Sequence, residues 1–172
     1  MRSIRKSSKS MQAEGVVPPE LEELAQYLRD WNTVLLYWSL ADEVGTHALV
    51  EYLYREGHRV LLPRVVSDTE MTLHVYAGRE QMSAGAWGIL EPTTQGVDTA
   101  TLNAGRDMVA VIPGMAFTID GRRLGRGKGY YDRLLKRVPY IYKVGLCYDW
   151  QLVDEVPTNK YDVGMDKVWI VS

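Results

Sequence analysis

Residues 108–138 read MVAVIPGMAFTIDGRRLGRGKGYYDRLLKRV, and three physical regimes follow one another within them. Met108 to Pro113 is an apolar run without alternation, the pattern of a strand buried on both faces of a sheet. Tyr130, Tyr131, Leu134, Leu135 and Val138 recur at helical spacing, and Pro139 ends that pattern. Between strand and helix stand Gly125, Gly127 and Gly129 among the cations Arg122, Arg123, Arg126, Lys128 and Arg133. Glycine lets backbone N–H groups turn toward an anion without a Cβ in the way, and the following helix aims its positive end at the same point. The stretch is therefore one strand–loop–helix unit of an α/β domain, with the chemistry of a phosphate cradle at its bend.

Outward from that unit the same alternation continues. Pro18, Pro19 and the acids Glu20, Glu22 and Glu23 mark a helix start, carried on by Leu21, Leu24, Ala25, Leu28 and Trp31. Thr33 to Leu40 is apolar and rich in strand formers. Thr46 is placed to cap a second helix with Leu49, Val50 and Leu53 inward and Gly57 as its stop. Arg59 to Val65 reads as a strand, Met71 to Tyr76 as a half-exposed one, and Tyr142 to Tyr148 and Lys167 to Val171 as two more. From Ala77 to Asp107 no period holds, which predicts a long connection. Its one large side chain, Trp87, is equally suited to a functional loop or to packing back on the core.

Strands alternating with helices predict a single α/β domain, 1–172, with a largely parallel sheet covered on both faces. Ligands in such sheets bind beyond the carboxyl ends of the strands. The segments Ser39 to Thr46, Gly114 to Asp132 and Asp149 to Asp166 each follow a strand, so all three are expected on one rim.

Bulk properties narrow the partners. The 172 residues carry 46% hydrophobic and 24% charged side chains, enough for a core without disulfides. A net charge of -2 argues against general nucleic-acid or acidic-membrane binding and leaves the basic loop as a local feature aimed at a small anion. The one cysteine, Cys147, lies in an apolar run and suits a reducing, cytoplasmic setting as inert packing. No stretch approaches the length of a membrane span. The start, MRSIRKSSKS, shares its Arg/Ser content with transit peptides but lacks the leucines of an amphipathic face.

The glycine loop fits neither standard nucleotide motif. Gly129 stands where a Walker A loop has Ser or Thr after Gly127-Lys128, and Tyr130 fills the place of the third glycine of a dinucleotide fingerprint. A turn decorated with solvated arginines is the plain alternative, weakened because so many close cations with few compensating acids repel unless an anion joins them. Asp132, in the first helical turn, suits either the macrodipole or a Mg²⁺ held against phosphate oxygens. Asp162 and Asp166 suit turn roles or the same metal. Glu43 is a candidate acceptor for a substrate N–H, a base, or plain surface. His47, His58 and His74 have no metal spacing, and no Ser-His-Asp or Cys-His arrangement is readable.

These residues, taken with YWSLADEV, LLPRV, AWGILEP, VIPGMAF, RLGRGKGYYDR and LVDEVP…YDVGMD, give the chain from Val34 to Val171 a resemblance to the 5-formyltetrahydrofolate cyclo-ligase, or methenyltetrahydrofolate synthetase, family. The resemblance implies a Rossmann-like three-layer sandwich of the CoA transferase-like kind. It also implies an ATP- and Mg²⁺-dependent closure of 5-formyltetrahydrofolate to 5,10-methenyltetrahydrofolate through a phosphorylated formyl group. Carried over by position, Arg5 and Arg123, Leu124, Gly125, Arg126, Gly127, Lys128, Gly129, Tyr130 and Tyr131 would contact ATP. Trp38, Glu43, Trp87 and the run from Arg126 to Tyr130 would face the folate. Arg126, Lys128 and Tyr131 would act in catalysis, and Asp132 and Asp162 would bind the metal. The partners implied are the two substrates, with no nucleic acid or membrane, and the chain would be a cytoplasmic monomer. Segment 1–18 departs from the family pattern: Ile4-Arg5 fits the end of its Lys-x-x-Leu-Arg motif, but Met1 occupies the lysine position. Two other functions on the same fold stay open at this point, a different small-molecule phosphotransferase and a non-catalytic folate or nucleotide binder.

Overall fold

Along each central strand, successive side chains enter two different cores. Val109 and Val111 pack with Val34, Val60 and Val144 on one face, while Ala110 and Ile112 pack with Leu35, Leu61 and Cys147 on the other. A sheet apolar on both faces needs cover on both faces, and the helices supply it. This is the arrangement in the computed structural model, which describes residues 15–85, 88–102 and 107–172. Arg5, Trp87 and most of segment 1–18 lie outside the described residues.

The sheet contains β1 (Thr33–Leu35), β2 (Arg59–Val65), β3 (Met71–Val75), β6 (Met108–Ile112), β9 (Tyr142–Tyr148) and β10 (Lys167–Val171). Their order is β10-β9-β6-β1-β2-β3, parallel throughout except for the antiparallel β3 at one edge. Helix α1 (Glu22–Arg29), entered through a 3-10 turn at Pro19–Leu21, and helix α2 (His47–Arg55) cover the first face through Leu24, Leu28, Leu49, Val50 and Leu53. A short helix α3 (Thr99–Leu102) and helix α4 (Tyr130–Arg137) cover the second through Leu102, Leu134 and Leu135. The result is the three-layer α/β sandwich that the sequence pattern predicts. Cys147 is buried and unpaired, and burial pushes its thiol up to about 11, in keeping with packing rather than reactivity.

The structure departs from the sequence reading in four places, each for a local reason. The region 77–107 contains a hairpin, β4 (Met82–Ala84) with β5 (Leu90–Pro92), and α3, elements too short to show a period. Two residues each form a second small hairpin, β7 (Ala116–Phe117) with β8 (Arg123–Leu124), within the polar segment after β6. Strand β3 is mostly buried instead of half exposed, because the chain at Gly96 and Val97 returns to bond it. Its His74 is held between Thr72 Oγ1 and the Thr94 carbonyl. Thr46 does not cap α2 with its side chain. Its hydroxyl instead donates to the Tyr37 carbonyl at 2.5 Å and accepts the Ser39 N–H, turning the loop after β1 back on itself.

Candidate active site

Strand direction decides where the polar segments go. The parallel strands β1, β6 and β9 end at one rim, and the three segments that follow them line a single cavity of about 570 Å³ there. Trp38, Leu40 and Glu43 come from the first, Pro113, Gly114 and the whole run Arg123 to Asp132 from the second, and Pro157, Asn159 and Asp162 from the third. The cavity volume is in the range of sites that enclose a small organic ligand. Glu43, the run Arg123 to Asp132 and Asp162 are thus together, as predicted from their order in the chain, and Trp38, implied by the family resemblance, lines the same cavity.

The glycine loop is shaped by two residues in the left-handed region, Gly127 at φ +98° and Gly129 at φ +68°, the latter opening α4. No described atom lies within 4 Å of where a Cβ on Gly127 would stand, so conformation rather than space selects glycine there. Three neighbours brace the loop and α4. Tyr130 Oη donates to the Ser67 carbonyl and Arg133 Nε to that of Thr69. The Val163 N–H donates to Asp132 Oδ1 at 3.1 Å, joining α4 to the segment before β10.

The cations of this loop are less isolated than their sequence suggests, because acids distant in the chain meet them. Arg126 Nη2 pairs with Asp42 Oδ1 at 2.7 Å and lies 3.8 Å from Glu43 Oε2, and Arg122 pairs with Asp120. Arg123 Nε donates to the Pro113 carbonyl at 2.6 Å, with its guanidinium 5.2 Å from the centre of the Tyr131 ring. Burial lowers the Arg123 pKa, partly offset by Tyr131, Asp132 and Glu43, and raises that of Tyr131, which stays a phenol able to donate. Lys128 is exposed and its ammonium makes no hydrogen bond or ion pair with a described residue.

Against the glycine loop, the loop after β1 is tied by Tyr37 Oη to the Val44 carbonyl, by mutual bonds between Ser39 and Thr46, and by the Leu40 N–H to Glu43 Oε1 at 2.8 Å. Glu43 is thereby aimed inward, its side chain only 10% exposed and its Oε2 3.8 Å from Arg126 Nη2. Burial raises its pKa, against the lowering effects of the Leu40 N–H and Arg126. Trp38 stacks on His47 with ring centroids 3.9 Å apart. The apolar wall that faces them, Pro63, Val65, Ile89 and Leu90, comes from β2 and the 82–92 hairpin. That hairpin is fastened by buried Glu91, whose Oε2 accepts the Val65 N–H at 2.7 Å. Sequence reasoning missed this wall. Its signal was the lone acid between Leu90 and Pro92, which reads as exposed until the partner strand is known.

No group of three or more His, Cys, Asp or Glu able to hold a metal occurs among the described residues. Asp132 and Asp162 each engage one oxygen, with the Val163 and Asn159 N–H groups, and keep the other clear of described partners. Two half-engaged carboxylates beside a cationic glycine loop are the residues that could hold Mg²⁺, which takes one or two carboxylates and completes its shell with phosphate and water. Asp166 is set apart from them: it does not line the cavity, and its Oδ2 accepts the Lys143 N–H and pairs with Lys143 Nζ.

A cationic glycine loop facing a buried carboxylate and an aromatic shelf, on the rim of a parallel sheet, defines an α/β small-molecule enzyme that handles phosphate. The 5-formyltetrahydrofolate cyclo-ligase family model matches residues 2–171. The chain is 33% identical to 5-formyltetrahydrofolate cyclo-ligase of Escherichia coli over 149 residues, covering 80% of each chain. It is 32% identical to the Mycolicibacterium smegmatis protein of that name, over 84% of this chain and 80% of that one. Among solved structures, the 5,10-methenyltetrahydrofolate synthetase of Aquifex aeolicus superimposes with a TM-score of 0.68 at 29% identity, over 94% of this chain and 86% of that one. The chain belongs to the 5-formyltetrahydrofolate cyclo-ligase family, and its activity is the family's ATP-dependent ligase reaction on 5-formyltetrahydrofolate.

Proposed function

We propose that the cavity holds both substrates at once, the triphosphate on the glycine loop and the folate between Trp38 and Glu43, and carries out ring closure through a phosphorylated formyl group. The observation that supports this most directly is that the run Arg123 to Asp132 shares one cavity with Trp38 and Glu43. Either half alone would suit a simple binder; together they suit transfer between two ligands.

The chemistry assigns the roles. A formamide oxygen is a poor leaving group, so it attacks the γ-phosphorus of ATP, breaking the bond to ADP. N10 then attacks the formyl carbon, loses its proton, and expels the oxygen as phosphate, leaving the methenyl bridge. This sequence needs charge stabilisation around the transferring group more than a protein nucleophile. Arg126 and Lys128 are suited to neutralise the phosphoryl oxygens, and the phenol of Tyr131 to donate to one of them. Backbone N–H groups from Leu124 to Tyr131 would hold the remaining phosphate charge, with Arg123 fixed against Tyr131 behind them. Asp132 and Asp162 would hold Mg²⁺, which when bound supplies a counter-charge to the phosphates. Glu43 Oε2 would accept a pterin N–H, and Trp38 would line the ring system. Arg5 and Trp87 are carried in this proposal by family position alone.

We also take the chain to act as a single-domain cytoplasmic monomer that does not bind nucleic acid, a reading supported by its single central sheet, its net charge of -2 and its buried lone thiol. No helix among the described residues is long and apolar enough to cross a membrane. The test of the mechanism mixes the purified protein with Mg-ATP and 5-formyltetrahydrofolate and follows methenyl absorbance and ADP together. Equal formation of both is expected; ADP without the methenyl product would break the proposed coupling.

A further inference from the structure

The Trp38 ring has a second neighbour besides His47. The Arg79 guanidinium lies 5.3 Å from its centroid, carried there by the 3-10 turn Arg79–Gln81 between β3 and β4. The left-handed Gly78 at φ +99° sets the start of that turn. The Arg79 charge reaches the site wall, since it adds to the burial that lowers the His47 pKa.

The arginines that line the cavity or brace its glycine loop are already engaged. Arg126 pairs with Asp42, Arg123 donates to the Pro113 carbonyl, and Arg133 donates to the Thr69 and Lys128 carbonyls. Arg79 is exposed, and its side chain makes no hydrogen bond or ion pair with a described residue. Its neighbour Glu80 does not neutralise it. The Glu80 carboxylate folds back over Gly78, close to where a Cβ on that glycine would stand, and its charge is felt at Tyr76. Lys128, an unpaired cation in the cavity lining, belongs to the glycine loop, whereas Arg79 reaches the wall only through Trp38.

A folate is a flat pterin joined through a phenyl ring to a glutamate that carries two carboxylates. A buried acceptor such as Glu43 selects the pterin N–H end, so the glutamate must project toward solvent. Ile89 and Leu90 in the cavity wall offer it nothing polar, and Arg126 is already held by Asp42. We propose that Arg79 binds the glutamate carboxylates of the folate substrate and is a specificity-determining residue of the folate half of the site. Its guanidinium fork can take one carboxylate through two parallel N–H donors, and Trp38, which lines the cavity, holds that fork beside the wall. The inference rests on the reading that Trp38 and Glu43 face the folate.

The experiment compares wild type, Arg79→Gln and Arg79→Lys on 5-formyltetrahydrofolate and on its glutamate-free analogue, 5-formyltetrahydropteroate, each with saturating Mg-ATP. Arg79→Gln should raise KM for the glutamate-bearing substrate about fivefold, the scale of one exposed charge pair, with the effect on KM rather than kcat. KM for the analogue should be the same for wild type and Arg79→Gln, and Arg79→Lys should recover part of the loss. An equal rise for both substrates would show that Arg79 only props Trp38, and no rise for either would remove it from the site; both results overturn the proposal. If wild type closes the ring of neither substrate, the underlying reading of the site falls first and the proposal falls with it.

Discussion

Arg126 Nη2 and Asp42 Oδ1 meet at 2.7 Å across the mouth of the cavity, joining the tip of the glycine loop to the loop after β1. The two halves of the site are therefore linked before any ligand arrives, and the linking group is one that a triphosphate would attract. Both partners are about half exposed, so the pair holds a position without storing much energy.

Arg126→Ala should accordingly separate function from folding. KM for ATP should rise tenfold or more, on the order of a lost charge-assisted contact, while the urea midpoint shifts by the equivalent of less than about 1 kcal/mol. Steady-state kinetics and a denaturant titration on the same preparation check this. Unchanged kinetics would take Arg126 out of the site.

Glu43 makes a prediction in pH. Burial, the largest influence on it, raises its pKa above the ordinary 4.5 in spite of the Leu40 N–H and Arg126. The folded protein then holds this proton more tightly than the unfolded chain. Its contribution to stability is fully present below the unfolded pKa and is lost as pH rises through the raised folded value. Glu43→Gln is neutral throughout and lacks that dependence. The difference in Tm, wild type minus Glu43→Gln, should therefore fall as pH is raised from below 4.5 toward neutrality. A difference that stays flat would mean that the carboxyl is not desolvated.

Much of this was legible beforehand, for reasons that particular residues make clear. Strands such as Arg59–Val65 and Tyr142–Tyr148 were readable to the residue because apolar runs bounded by turn formers have few other uses in a sheet buried on both faces. The shared rim followed from strand direction alone. What stayed hidden depends on partners remote in sequence. Asp42 neutralises Arg126 across 84 residues, and Glu91 bonds Val65 across 26. Thr46 looks like a helix cap in its local sequence, but the Tyr37 carbonyl, which becomes its partner only after the loop closes, offers its hydroxyl a better bond.

Gly121 and Gly127 both have positive φ, at +97° and +98°, yet they should respond differently to alanine. A Cβ on Gly121 would stand 2.3 Å from the Met165 carbonyl oxygen, whereas one on Gly127 meets nothing within 4 Å. Gly121→Ala should cost about 3 kcal/mol, strain plus a backbone clash, and Gly127→Ala about 1 kcal/mol from strain alone. Gly121 also accepts the Met165 N–H at 2.8 Å, so its replacement should disturb the segment that carries Asp162 and lower kcat/KM even where the protein remains folded. Urea titration of the two variants checks the order; equal losses would contradict the close approach at Met165.

Asp132 joins two roles that one substitution can separate. Its Oδ1 accepts the Val163 N–H, and its other oxygen faces the cavity without a described partner. Asn retains an oxygen at the first position and removes the negative charge from the second. Asp132→Asn should thus keep the tie between α4 and the segment before β10, with stability within about 1 kcal/mol of wild type, while kcat falls by two orders of magnitude or more if the carboxylate holds the metal. Asp132→Ala loses both and should lower the urea midpoint as well. Titrating Mg²⁺ into the Asn variant adds an independent readout, since a weakened metal site moves the half-saturating concentration upward. Asn and Ala variants that lose stability equally, with Mg²⁺ dependence unchanged in the Asn variant, would make Asp132 a bracing residue alone and leave Asp162 to hold the cation.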